Sequence, residues 1–358
     1  MLRITGSNDW TSTTIGAGTL KMDSSGSIPS GKDLSVNGTL DLNGEDYTAS
    51  SFSGSGVVTS GAVGSVTLQV NSGGTFSGVL EDGLGELSFI KNSSNIMYLT
   101  GANTYSGLTT VKGSGRLQIG HSSALGGTVT GTVVENGAGL QLVGDIAVGD
   151  ESLSLTGNGY GNQGALYNVS GSNTWSGTLD LVGHTTIEVD SGSELSLLGS
   201  SSITSSSNSY LYLRTRGDMR IAGVIATGSG VLYKYDNGRL TLEGNNTYSG
   251  ATAVTDGLLE ITHGNALGDV SGATTVSSGA SLVLSDGISV GAEPLTITGT
   301  GHSSDYGALT SMSGNNSYGG AIIMNTAVIK TVSDTLTLEG STAVSASSGR
   351  ILTVEGPG

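Results

Sequence analysis

The chain has 358 residues, 61 of them Gly, 3 Pro and none Cys, and its 29 Asp and Glu outweigh 13 Lys and Arg for a formal net charge of −16. The missing Cys excludes a disulfide framework and any thiolate metal or redox centre, and the acidic balance opposes nucleic acid or anionic membrane as partners. Gly at more than twice ordinary usage without a G-X-Y period excludes collagen, and a 35% hydrophobic content excludes a wholly disordered acidic chain.

After Met1 the chain reads LRITGSNDWTS, with neither a basic n-region nor an apolar h-region, so no signal peptide is expected here. Every apolar run is far too short for a bilayer-spanning helix, so none is expected. From there on almost every apolar segment alternates with period two, as in LQLVG (140–144), LSLTG (153–157) and LTLEG (240–244 and 336–340), and each soon closes on Gly, Ser, Asn or Asp. That is the pattern of short half-buried strands, and amphipathic windows at 3.6 spacing are absent. A signature of Asn, Thr or Ser, an aromatic, Ser or Gly, then Gly stands at 103–107, 173–177, 246–250 and 316–320, with a weaker start at Asn8-Asp9-Trp10. The four full copies are almost evenly spaced. A longer period, twice that spacing, aligns SSALGGTVTGTVVENGAGLQL (122–142) with GNALGDVSGATTVSSGASLVL (264–284), Leu140 with Leu282 and Trp175 with Tyr318.

The signature spacing of roughly 70 residues fits three coils of about 23 residues, the size of a multi-strand solenoid rung. The expected fold is therefore all-β, a right-handed parallel β-helix forming a single elongated rod, because stacking rungs about 4.8 Å apart removes the long edges that a flat sheet would leave. Residues 1–358 read as one β-helical region with repeats at about 76–220 and 221–358 and a more degenerate start at 1–75. Inward Leu, Val and Ile would form the core, and the narrow interior explains the scarcity of aromatics.

Most charged residues read as architecture. His121 and His263 occupy equivalent places after the same strand and read as turn residues, and His184 and His302 show no ligand spacing, so no metal site, cofactor or catalytic residue is expected. A glycosidase needs converging carboxylates at roughly 5–10 Å. Asp145, Asp150, Glu151, Asp286 and Glu293 are the candidates, but their recurrence beside a turn reads as a solvated acidic loop. One segment stands apart. In SYLYLRTRGDMR (209–220), alternation points Leu211 and Leu213 inward and sets Tyr210, Tyr212, Arg214 and Arg216 on the outer face. With the rung length assumed above, Tyr233 and Tyr235 fall on Tyr210 and Tyr212, and Arg239 on Arg216. Arg220 and Lys234 add to the cationic fringe, and the whole is a surface suited to sugars or anionic glycans. Two alternatives remain: a stabilising Tyr stack with Arg for solubility, or Tyr233 and Tyr235 turned inward with Val231. Arg216-Gly217-Asp218 is also an integrin-type tripeptide, if it sits on a projecting turn.

GRLTLEGNNTYSGATAVTDGLLEITHGNALGD (238–269), with its lead-in at 221–238, and IMYLTGANTYSGLTTVKGSGRLQIGHSSALGG (96–127) resemble the passenger-associated transport repeat of type V autotransporters of the AIDA-like kind. Segments 170–199 and 313–340 are similar but degenerate. The resemblance implies a secreted or cell-surface adhesin passenger of a Gram-negative outer membrane, working by non-catalytic, polyvalent contacts in adhesion, aggregation or biofilm formation. Its implied partners are host-surface or matrix glycans and proteins, or a second copy of the same passenger, with no nucleic acid and no membrane insertion. The family's signal peptide and C-terminal β-barrel are absent from this sequence, and ILTVEGPG stops before another lead-in, so an excised passenger fragment is expected. The alternatives are a β-helical polysaccharide hydrolase or lyase, and a structural stalk that aids secretion and folding.

Overall fold

The computed structural model describes residues 1–23, 26–199, 202–339 and 344–356. Gly340, which closes the second LTLEG segment, and the final Pro357-Gly358 lie outside the described residues. Among the described residues the regular structure is all strand apart from one 3-10 turn at Tyr160–Asn162, and the paired strands run parallel, about one turn of chain apart. The fold is a parallel β-solenoid. By contacts it divides into two compact units, Met1–Gly177 and Thr178–Gly358.

In the first unit, alternation sorts residues into columns. Met97 in Ile96–Leu99 pairs with Leu117 in Arg116–Ile119, which pairs with Leu140 in Gly139–Leu142, which pairs with Leu166 in Leu166–Asn168. All four side chains are fully buried, while Tyr98 and Gln118, which alternate with them, face outward. Each such aliphatic contributes about 1.5–3 kcal/mol by leaving water. Phe52 and Phe76 stack in the interior with centroids 4.3 Å apart.

The second unit repeats the scheme. Leu195, Met219, Leu240, Leu259, Leu282, Leu309 and Ile329 make one column, each a rung above the last. The rung length is not constant. Leu211 pairs with Leu232 and Leu232 with Thr252, both short steps, whereas the step from Leu295 to Ile322 is distinctly longer. The long rung carries the irregular stretch 300–308 between strands, and the short ones join their strands by tight corners. The uniform rung expected from the signature spacing is an average over these.

The recurring signature is an internal joint. Asn103 is buried; its Oδ1 accepts from the Leu80 N–H (2.9 Å) and its Nδ2 donates to the Ala124 carbonyl (2.6 Å), so one amide ties together three successive rungs. Asn246 does the same with Ile225 (2.8 Å) and Ala266 (2.6 Å). The aromatic of the signature points inward: Tyr105, Trp175, Tyr248 and Tyr318 are all fully buried. The interior therefore accepts aromatics, including Trp175, although a narrow interior was expected to take aliphatics more easily than Trp. Its Nε1 donates to the Glu151 carbonyl (3.0 Å), and the Tyr105 and Tyr248 hydroxyls bond Thr109 and Thr252 (2.5 and 2.7 Å). The closing glycine lies against the rung before it. A Cβ at Gly177 or Gly320 would overlap the carbonyl oxygen of Glu151 or Glu293.

Candidate functional site

The strand Leu211–Thr215 places Leu211, Leu213 and Thr215 in the core, so Tyr212 and Arg214 face out, with Tyr210 just before the strand and Arg216 just after it. The next rung, Leu232–Tyr235, buries Leu232 and Lys234 and turns Tyr233 and Tyr235 outward. The register is Tyr212 with Tyr233 and Arg214 with Tyr235. This corrects the expected pairing of Tyr233 with Tyr210 and Tyr235 with Tyr212, because this rung is shorter than the average one. The rings nevertheless meet. Tyr212 and Tyr233 are 5.1 Å apart at 16°, Tyr233 and Tyr235 5.8 Å at 12°, and Tyr212 and Tyr235 6.3 Å at 28°. Tyr210 meets Tyr212 and Tyr233 edge-on and stacks on His184 at 4.4 Å. His184 also accepts the Tyr210 N–H at Nδ1 (3.0 Å), a role its sequence position did not reveal. Burial and the neighbouring phenols push the Tyr212 and Tyr235 hydroxyls up, so both stay protonated at neutral pH.

The arginines beside the rings are engaged. Glu188 stands one rung below Arg214 and is fully buried beneath it. Its Oε2 is 3.2 Å from Arg214 Nη1 and its Oε1 2.5 Å from Arg216 Nη2. Arg216 also bonds Asp190 Oδ1 (3.2 Å), and Arg214 Nε lies 3.3 Å from Asp236 Oδ2. Burial raises the Glu188 pKa, and the two guanidinium groups pull it back. Sequence reading missed Glu188, although its outward place in HTTIEV one rung before Arg214 was readable. Two other residues leave the fringe. Lys234 is buried, and its Nζ donates to the carbonyls of Tyr235, Asp236 and Asp256. Arg239 does not follow Arg216: Met219 pairs with Leu240, the Arg239 N–H reaches Asp218, and its guanidinium pairs with Glu260 and Tyr306. Arg220 is held by Glu243 through two hydrogen bonds of 2.6 and 2.5 Å. In the tripeptide Arg216-Gly217-Asp218, Arg216 is ion-paired, Gly217 is buried at a corner and Asp218 opens the next strand, exposed.

The acidic candidates separate. Asp145 and Asp286 sit in turns with positive φ, and Asp145 caps the Ser172 N–H (2.7 Å). Glu151 and Glu293, expected in a solvated loop, are each 2% exposed. Each accepts a bond on Oε1 from a buried Thr one rung away, Thr132 (2.7 Å) and Thr274 (3.0 Å), and burial pushes each pKa up to about 7. The Trp175 indole and the closing Gly177 and Gly320 pack on the backbone of these same residues. His121 and His263 each accept a nearby backbone N–H, from Ser123 at 3.0 Å and from Asn265 at 3.1 Å.

The passenger-associated-transport-repeat family matches residues 1–22, 89–119 and 232–261. The last two overlap the copies expected at 96–127 and 238–269, and the first covers the weak start at Asn8-Asp9-Trp10. A curated protein named adhesin BmaC autotransporter, from Brucella suis biovar 1 (strain 1330), is 28% identical over 306 residues. That alignment takes in 66% of this chain and 9% of the relative, so the chain spans a small part of its length. No solved structure matches. The parallel solenoid, the repeat matches and the likeness to an autotransporter adhesin agree, and together they support an autotransporter passenger domain, at the Gram-negative cell surface or secreted.

Proposed function

We propose that this passenger is an adhesive module that holds surfaces together by many weak, non-catalytic contacts, and that the Tyr210, Tyr212, Tyr233 and Tyr235 cluster is its principal contact face. The observation that carries this reading is the cluster itself: four half-exposed tyrosines gathered within two rungs of a chain that is only 5% aromatic. Exposed aromatic clusters mark interaction surfaces, since Tyr offers a large rigid contact area with little conformational entropy to lose. Presenting many copies converts weak single contacts into avidity. Arg214 and Arg216 flank the face and hold the neighbouring carboxylates.

The relative's name as an adhesin supports the class of activity. Adhesion to host or bacterial surfaces, aggregation and biofilm formation are the outcomes that such a face would produce. The test is to coat beads with the chain and count their attachment to epithelial cells, to bacteria and to one another. Wild-type beads should attach or clump, and Tyr212→Ser/Tyr233→Ser beads should do so about tenfold less. Equal attachment by both would assign this region to a stalk instead.

A further inference from the structure

We infer that the aromatic face takes an uncharged glycan, a run of neutral hexoses rather than a sialylated or sulfated chain; this rests on the adhesive reading of the same face. Three rings, Tyr212, Tyr233 and Tyr235, lie within 5.1–6.3 Å of one another and within 28° of parallel. Together they form a tiled plate wider than one sugar ring, against which the apolar C–H faces of neutral hexoses can lie, with phenol hydroxyls at hand for sugar hydroxyls. The hydroxyls of Tyr212 and Tyr235 stay protonated, so they can donate without adding charge.

Charge decides between neutral and anionic ligands. Two guanidinium groups, on Arg214 and Arg216, face three carboxylates, on Glu188, Asp190 and Asp236. A sulfate or carboxylate ligand would have to draw the arginines off Glu188 and leave a fully buried carboxylate without its cations, which is strongly unfavourable. The chain's net charge of −16 adds a repulsive field for any polyanion. An uncharged sugar disturbs none of these pairs.

The experiment is binding of the wild-type chain, immobilised in many copies, to arrayed neutral oligosaccharides (glucans, mannans, galactans), to sialyllactose and to heparin oligosaccharides, at low and at high ionic strength. Neutral oligosaccharides should be retained with little salt dependence, because no ion pair forms with the ligand. Tyr212→Ser/Tyr233→Ser should weaken retention about tenfold or more while the melting temperature holds, both side chains being outside the core. Saturation-transfer NMR on the unmodified chain should place sugar C–H protons against tyrosine rings, independently of any variant. Asp190→Asn/Asp236→Asn should gain heparin binding, since it frees positive charge without emptying the site of Glu188. A preference of the wild type for sialylated or sulfated sugars, lost in high salt, would overturn the inference. So would absence of glycan binding while bead adhesion still depends on Tyr212 and Tyr233, a result that leaves the adhesive reading intact with a protein surface as occupant. Loss of both would remove the face from the adhesive reading itself.

Discussion

Lys91 and Lys234 occupy interior positions that neighbouring rungs fill with aliphatics: Val70 and Val111 around the first, Leu213 and Val254 around the second. Their stems pack in the column while the ammonium groups reach the corner, where Lys91 bonds the carbonyls of Asn92 and Ser93. A buried carbonyl without a donor costs about 1–3 kcal/mol. Lys234→Met should therefore destabilise the chain despite its better hydropathy, since the Asp236 and Asp256 carbonyls lose this donor, as read from the shift in a urea midpoint. Glu151 and Glu293 bring a pH dependence. Folding raises each from 4.5 to about 7, so between these values the folded chain holds protons that the unfolded chain has released. Stability from these groups is greatest below the lower value, falls as pH rises to the upper one, and is level above, by an amount on the order of 3 kcal/mol each. The lysines act on the other side. Burial lowers each from 10.5 to about 8, so stability recovers as pH climbs through that window. Melting curves should show higher stability at about pH 5.5 than at about pH 7.5, and Glu151→Gln/Glu293→Gln should flatten that difference.

At the scale of strands and rungs, the repeat signature is a joint that fixes register. Its Asn ties three rungs through backbone groups, its aromatic fills the interior and its Gly admits the close approach of the previous rung. Asn246→Ala would leave the Ile225 N–H and the Ala266 carbonyl unpaired in the core and should cost about 1–3 kcal/mol for each. Asn245→Ala, at the exposed position just before it, should change the denaturation midpoint little. Trp175→Ala should cost about 3–5 kcal/mol, since nothing smaller fills the space of the largest buried side chain. The sequence disclosed the strands and corners well, because alternation and Gly or Asn punctuation are local. It also contained the inward lysines, as Leu87, Phe89, Lys91 and Leu232, Lys234 follow one alternation. Rung length was beyond it, because the chain can add residues at a corner without changing the flanking strands. A small error in that length was enough to mispair Tyr233 and to send Arg239 to the wrong neighbour.

Over the whole molecule the formal net charge is −16, and the ion pairs of Arg214, Arg216, Arg220 and Arg239 engage these side chains of the second unit with carboxylates. The aromatic cluster is thus distinguished by its rings and not by its charge. Local alternation alone did not disclose this, because the carboxylate partners of these arginines lie mostly a full rung away along the chain, and only stacking by rung brings Glu188 under Arg214. Adhesion by the chain should accordingly survive high salt. The most direct test of the contact face is hydroxyl-radical footprinting of the chain free and bound to a surface to which it adheres. Protection concentrated at Tyr210, Tyr212, Tyr233 and Tyr235, with Tyr98 and Tyr160 unchanged, is the predicted result. Unaltered labelling of the cluster, with protection elsewhere on the chain, would contradict it.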